Sequence, residues 1–344
     1  MQPSPPPRPA AQKLRVVIHI GPQKTGTTYL QRRLQHVRKR LEKSGIICHL
    51  PHDSERGLPG GARHRLAGML IDGSAGAFAQ EVAEIRAQGW HCLLISSESL
   101  ARRTRAQLAP LAEIFAPDQV EIYAYCRRWS DRLPSHWWQN IATGGTVPFP
   151  DWFGTVVNGG TGNSILNESL IWRNWAELFG RAAVHLISYD ALRQREIDIA
   201  DDFLHTRLHW PGKFHQPPPR KEVRKTPSPV EIEITRCLNL QAAAHGKALP
   251  GHRRRALLEA LRVADFQPFR DMAGDAMQVI PINDADPSFV ASRVAMQAWE
   301  DRLVTRTLSP NIVMPRATAY SFVPPEALNT AAASAAFGDL LKSA

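Results

Sequence analysis

Eight consecutive residues, Gly21-Pro22-Gln23-Lys24-Thr25-Gly26-Thr27-Thr28, carry the groups needed to hold a phosphate-like anion. Gly21 and Gly26 permit tight turns and positive φ. Lys24 supplies a point charge, and Thr27 and Thr28 supply hydroxyl donors. A helix beginning at Thr27 would add its first N–H groups to the cradle. Gly21 and Gly26 have the spacing of a Walker A loop, Gly-x-x-x-x-Gly-Lys-Ser/Thr. Here Thr27 stands where that loop has its lysine, and the lysine has moved inside, to Lys24. The shift disfavours an ordinary magnesium-dependent ATPase. Glu98, in Ile95-Ser96-Ser97-Glu98, is a second chemical candidate. It follows an apolar run and falls where the carboxyl edge of an α/β sheet forms its sites. A carboxylate there also suits the start of a helix, favoured by the dipole.

These side chains need a frame, and the pattern of apolar residues provides one. Leu14 to Ile20 (LRVVIHI) is a short β-branched run stopping at Gly21, which predicts a buried parallel strand. Tyr29, Leu30, Leu34, Val37 and Leu41 recur at helical spacing within Thr27 to Lys43. Gly45 ends that helix, and Ile46 to Leu50 is the second strand. Helices are expected from about Arg63, over Phe78 to Gln88, over Ala106 to Phe115 and over Asp131 to Asn140. Strands are expected over His91 to Ser96, Val120 to Cys126 and Ala183 to Ser188. Trp172 to Phe179 is an amphipathic helix with Gly180 as its cap. Pro211 to Pro229 is dense in Pro, Lys and Arg and reads as loop, followed by a helix over Val230 to Ala244. From Gln267 to Ser321, scattered Pro and Gly leave no clear pattern. The alternation predicts an α/β fold: three αβα layers around a central parallel sheet of about five strands, like that of the P-loop NTPases.

The 344 residues are 43% hydrophobic, enough for a sizeable core, and carry a formal charge of +10. That excess suits anionic partners, and equally a soluble protein kept apart by like charge. Cys48, Cys92, Cys126 and Cys237 form no CxxC pair, so buried reduced thiols are expected rather than zinc or redox chemistry. No apolar run approaches the roughly 20 residues of a membrane helix. Met1 to Gln12 holds five prolines and lacks the apolar core of a signal peptide. Residues 1–13 are expected as a Pro-rich tail, 14–265 as the α/β domain and 266–344 as a C-terminal extension packed on it. The expected location is the cytoplasm.

The segment His19 to Gln31, HIGPQKTGTTYLQ, resembles the 5′-phosphosulfate loop of the PAPS-dependent sulfotransferases, bacterial members included. PAPS is 3′-phosphoadenosine 5′-phosphosulfate, and PAP is its product. The resemblance implies that Lys24 contacts the bridging oxygen and the sulfuryl group. Thr25, Gly26, Thr27 and Thr28, with Gly21 and Gln23, would form the rest of the 5′ site. It also implies an Arg at the end of a strand and a Ser eight residues later, together holding the 3′-phosphate. Arg127 and Ser135, in CRRWSDRLPSHWWQN, have that spacing, with Arg128 as the competitor for the first role. A basic loop that closes over the 3′-phosphate and adenine is implied as well. Arg220, Lys221 and Arg224 are the candidates, although the Arg-x-Asn-x-Ser common in bacterial members is missing its Asn here. The resemblance spans roughly Arg15 to Leu240.

The activity so implied is in-line transfer of a sulfuryl group from PAPS to a hydroxyl or amine, without metal. Charge on the leaving oxygen would be met by Lys24 and the loop N–H groups. The general base would be Glu98 or His64, both matching positions in related bacterial proteins, with His49 and His52 nearby. Trp137 and Trp138 either line an acceptor cleft or pack. The acceptor is expected to be a small molecule or glycan, and carbohydrate is the first guess. The contrasting readings are a non-catalytic PAP- or nucleotide-binding protein and a nucleic-acid binder. The latter is disfavoured because no known nucleic-acid motif occurs and the charge is spread along the chain. Oligomeric state is not readable from the sequence.

Overall fold

The computed structural model describes residues 13–50, 65–159, 165–166, 168–212, 227–246, 267–286, 289 and 317–343. The chain groups into two compact units. Met1–Arg127, Asn167–Val223 and Ala291–Met314 form the first, and Arg128–Leu166, Arg224–Val290 and Pro315–Ala344 the second.

The first unit is built on β1 (Arg15–His19), α1 (Thr27–Lys43), β2 (Ile46–His49), α2 (Arg65–Asp72), α3 (Ala75–Ala87), β3 (Cys92–Ser96), α4 (Arg105–Ile114) and β4 (Gln119–Cys126). The chain then enters the second unit through α5 (Trp129–Ala142) and α6 (Phe149–Gly159). It returns to the first with α7 (Glu168–Phe179), β5 (Val184–Ser188) and α8 (Tyr189–Gln194). All five strands are parallel, in the order β2-β3-β1-β4-β5. The expected α/β sheet of five parallel strands between helices is therefore present, with strand ends within a residue or two of the sequence reading.

Strand residues alternate between two covered faces, as a parallel sheet requires. Val17, Leu94 and Tyr125 join Leu30, Leu34, Val37 and Leu41 of α1 in one buried cluster. Phe203 and Leu204 complete it from a π-helical segment, Asp202–Arg207, that follows a turn at Ile199–Asp201. Val16, Ile18, Leu93 and Ile95 face the other side. That layer holds the buried Phe78 and Val82 of α3, Leu111 of α4 and Trp175 of α7.

The strand order fixes where a ligand could sit. The connection after β1 runs toward β2, and the connection after β4 runs toward β5, on the opposite side. Such divergence opens a crevice at the carboxyl ends of the two strands. The phosphate-type loop leaves β1 there, and Arg127 follows β4 there.

In the second unit, the helix Pro229–Ala244 opens with a capping box between Ser228 and Glu231. Asn239 on it donates to the carbonyls of Ile141 and Gly145, each at 2.8 Å. The buried Asp284 accepts from the N–H of Ser130 at 2.9 Å and from its hydroxyl at 2.5 Å, holding the start of α5. Asp284 follows β6 (Gln278–Asn283), which pairs antiparallel with β7 (Ala317–Phe322). That pairing and the closing helix Ala331–Ser343 carry no clear sequence signal. The two strands lie 33 residues apart, and each has only one buried side chain. No helix among the described residues is long and apolar enough to cross a membrane.

Gly45 sets the register between α1 and the sheet edge. Its φ is 76°, and its carbonyl accepts from the N–H groups of His91 and Cys92. A Cβ there would lie 2.8 Å from Nδ1 of His91. Gly45→Ala is expected to lower stability by about 1–2 kcal/mol, the scale of left-handed strain, as read from the midpoint of urea unfolding.

Candidate functional site

The loop between β1 and α1 has left-handed backbone at two places. Gly26 has φ 82°, and Lys24 has φ 71° despite its side chain. A non-glycine residue held there is strained, and such strain concentrates at functional turns. The bend is fastened from several sides. The buried Thr25 hydroxyl donates to the Pro22 carbonyl at 2.7 Å. Arg127 Nη1 donates to the Lys24 carbonyl at 3.0 Å, and its guanidinium lies 5.6 Å from the centre of the Tyr189 ring. A side chain on Gly26 would meet Tyr189 Cε2 at 3.3 Å and Ile199 Cδ1 at 3.4 Å. Arg102 Nη2 donates to the Gln23 amide oxygen at 2.8 Å.

Thr27 opens α1 and is buried, and its hydroxyl has no protein partner. No acid occupies the first turn of the 17-residue helix, which leaves its positive end without a carboxylate of the helix's own. Thr28 is exposed, while Gln23 and Lys24 are half-exposed.

A layer the sequence reading missed lies beneath the loop. His19, the last residue of β1, is fully buried. Its Nδ1 is 2.9 Å from the Ser96 hydroxyl, and the Ser97 N–H donates to its carbonyl at 2.9 Å. Gln31, on the second turn of α1, donates to the Ser96 carbonyl at 3.2 Å. Burial pushes the His19 imidazole down to about 3, so the ring is neutral. A Cβ on Gly21 would sit 2.8 Å from His19 Nε2, which explains why only glycine fits. The available signal was a histidine ending a buried strand within the motif itself.

Glu98 starts a one-turn 3-10 helix, Glu98–Arg102, immediately after β3. β3 pairs with β1 up to His19 and Ser96, so Glu98 leaves the sheet beside the loop's own strand. It is half-buried. His64 and His52 lie outside the described residues, as do Arg220, Lys221 and Arg224. His49 is on β2, 3.6 Å from Glu81 and edge-on to Phe78. Arg128 pairs with Asp131 at 2.6 Å at the start of α5, so Arg127 is the arginine that meets the loop. Ser135 is half-buried on α5, in the second unit. Trp137 is a core residue: it is buried, its Nε1 donates to the Val147 carbonyl, and it stands edge-on to Phe149.

No family model matches the chain, and no curated protein matches it. Among solved structures it is similar to a sulfotransferase from Alicyclobacillus acidocaldarius, at 15% identity and a TM-score of 0.35. That similarity covers 68% of this chain and 96% of the other. The reading of function therefore rests on the loop residues themselves.

The neutral His19 has a pH signature. Between its folded value of about 3 and the ordinary value of 6.5, the unfolded chain binds a proton that the folded chain refuses. Its contribution is whole above about pH 6.5 and is lost as pH falls, on the order of 1 kcal/mol per pH unit. Urea unfolding at pH 7, 6 and 5 should show His19→Gln losing stability less steeply than the wild type. Parallel slopes would contradict a buried neutral imidazole.

Proposed function

We propose that this chain is a PAPS-dependent sulfotransferase, moving the sulfuryl group of PAPS to a hydroxyl or amine acceptor. One observation carries the reading. A lysine inside the loop, Lys24, is held in left-handed backbone beside the start of α1, where the buried Thr27 hydroxyl awaits a partner. That arrangement fits a substrate with an anionic phosphate and a bridging oxygen that gains negative charge as it leaves. It does not fit a Walker loop, whose lysine follows the second glycine.

The roles divide as follows. The loop N–H groups and the hydroxyls of Thr27 and Thr28 hold the 5′-phosphate. Lys24 stabilises the negative charge that gathers on the bridging oxygen as it leaves. Arg127, at the carboxyl end of β4, is assigned to the 3′-phosphate, for which a guanidinium is a forked donor. Glu98 is the base. It takes the acceptor's proton while the acceptor oxygen bonds to sulfur and the bridging oxygen departs with its electron pair as PAP. The acceptor is proposed to be a glycan or small molecule, and the location the cytoplasm. Four buried free cysteines are consistent with that compartment.

Transfer of labelled sulfate from PAPS to a panel of glycans, lipids and phenols tests this. The wild type should label at least one acceptor. Lys24→Ala should reduce the rate by about a hundredfold or more, the scale for removing one charge-stabilising group. Wild-type activity in Lys24→Ala would refute the mechanism, and PAP binding without any transfer would favour a non-catalytic nucleotide-binding protein.

A further inference from the structure

The transfer chemistry leaves one buried group unused, the imidazole of His19. Its ring cannot turn freely. Ser96 holds Nδ1, and Tyr125 and Phe203 stand edge-on at 5.8 and 5.6 Å. The second nitrogen, Nε2, is buried and has no protein partner. It lies 2.8 Å from the point a Cβ on Gly21 would occupy. Thr27 Oγ1, also buried and without a partner, is 3.1 Å from that same point. Two unsatisfied polar atoms thus converge under the loop, at the N-terminus of a long helix. Buried polar atoms are usually paired, because an unpaired one has lost its bonds to water without replacement.

A neutral imidazole offers one donor and one acceptor. With the Ser96 hydroxyl donating to Nδ1, Nε2 carries the proton and lines the same space beside Gly21 as the Thr27 oxygen. A hydroxyl that accepts on one side directs its own proton to the other. We propose that His19 is a positioning residue for the loop, acting through Thr27: when a phosphate binds, its Nε2–H engages Thr27 Oγ1 and aims the Thr27 hydroxyl at a phosphate oxygen. This rests on the loop being a phosphate site. It adds an uncharged layer under the cradle that orients a donor without repelling Lys24 or Arg127.

The test is calorimetric binding of PAP, with inorganic pyrophosphate as a second probe, to the full chain and four variants. These are His19→Asn, His19→Gln, Thr27→Ala and the double variant His19→Asn/Thr27→Ala. Asparagine can keep the Ser96 contact but lacks a group at Nε2, whereas the glutamine amide reaches the Nε2 position. His19→Asn should bind about tenfold more weakly, the loss of one hydrogen bond to a charged site. His19→Gln should recover most of that affinity. The double variant should bind no more weakly than Thr27→Ala alone, because the two residues act as one unit. Undiminished affinity in His19→Asn would overturn the proposal, and so would full additivity in the double variant. If His19→Asn does not fold, a folded His19→Gln with affinity lowered more than tenfold overturns it instead. Wild-type binding of pyrophosphate but not PAP would sink the nucleotide reading alone, leaving the His19 comparison to run on pyrophosphate. Wild-type binding of neither probe would refute the anion site and the role of His19 with it.

Discussion

The turn from β1 into α1 is the constraint on which the first unit's candidate site depends. Within three residues the backbone enters the left-handed region twice, at Lys24 and Gly26. For Lys24 this costs about 1–2 kcal/mol, and the surrounding residues must hold it there. Arg127 does so from β4 by binding the Lys24 carbonyl, and Tyr189 and Ile199 close on Gly26 from the segment after β5. The His19–Ser96 contact closes the floor from β1 and β3. Three strands and two later turns thus converge on eight residues, which explains why the loop leaves the centre of the sheet and not its edge.

That convergence also orders the electrostatics. A helix start without an acid, a lysine and an arginine make the loop's surroundings positive. The buried groups beneath it are neutral: a histidine pushed far below its usual value, a serine and a glutamine. Positive charge therefore stands at the crevice side, with the uncharged His19, Ser96 and Gln31 beneath the loop. On the proposed reading, an anion there would be met by N–H groups, hydroxyls and side-chain cations.

Much of this was legible in the sequence. Buried parallel strands announce themselves as short β-branched runs, so β1, β3, β4 and β5 were placed closely. Gly45 and Gly180 both sit at positive φ, as helix-ending glycines do. The turn from β1 into α1 was legible because a β-branched run stops at Gly21 and helical spacing begins at Thr27. Three things were not. The π-helical segment Asp202–Arg207 has no periodic signature, yet its Phe203 packs on His19. The pairing of β6 with β7 depends on a long-range contact between weakly patterned strands. The role of His19 depends on where its two nitrogens point, which spacing alone does not encode. Arg127 was identified by its distance from Ser135, while its observed partner is the loop's own Lys24 carbonyl.

The most direct measurement of the central claim is nucleotide selectivity in the wild type without added metal. Calorimetry should give PAP a clear advantage over adenosine 5′-monophosphate, which lacks the 3′-phosphate, and over ATP with or without magnesium. Equal affinity for PAP and the monophosphate, or a preference for magnesium-ATP, would contradict a loop built around Lys24 for a 3′-phosphorylated sulfate donor.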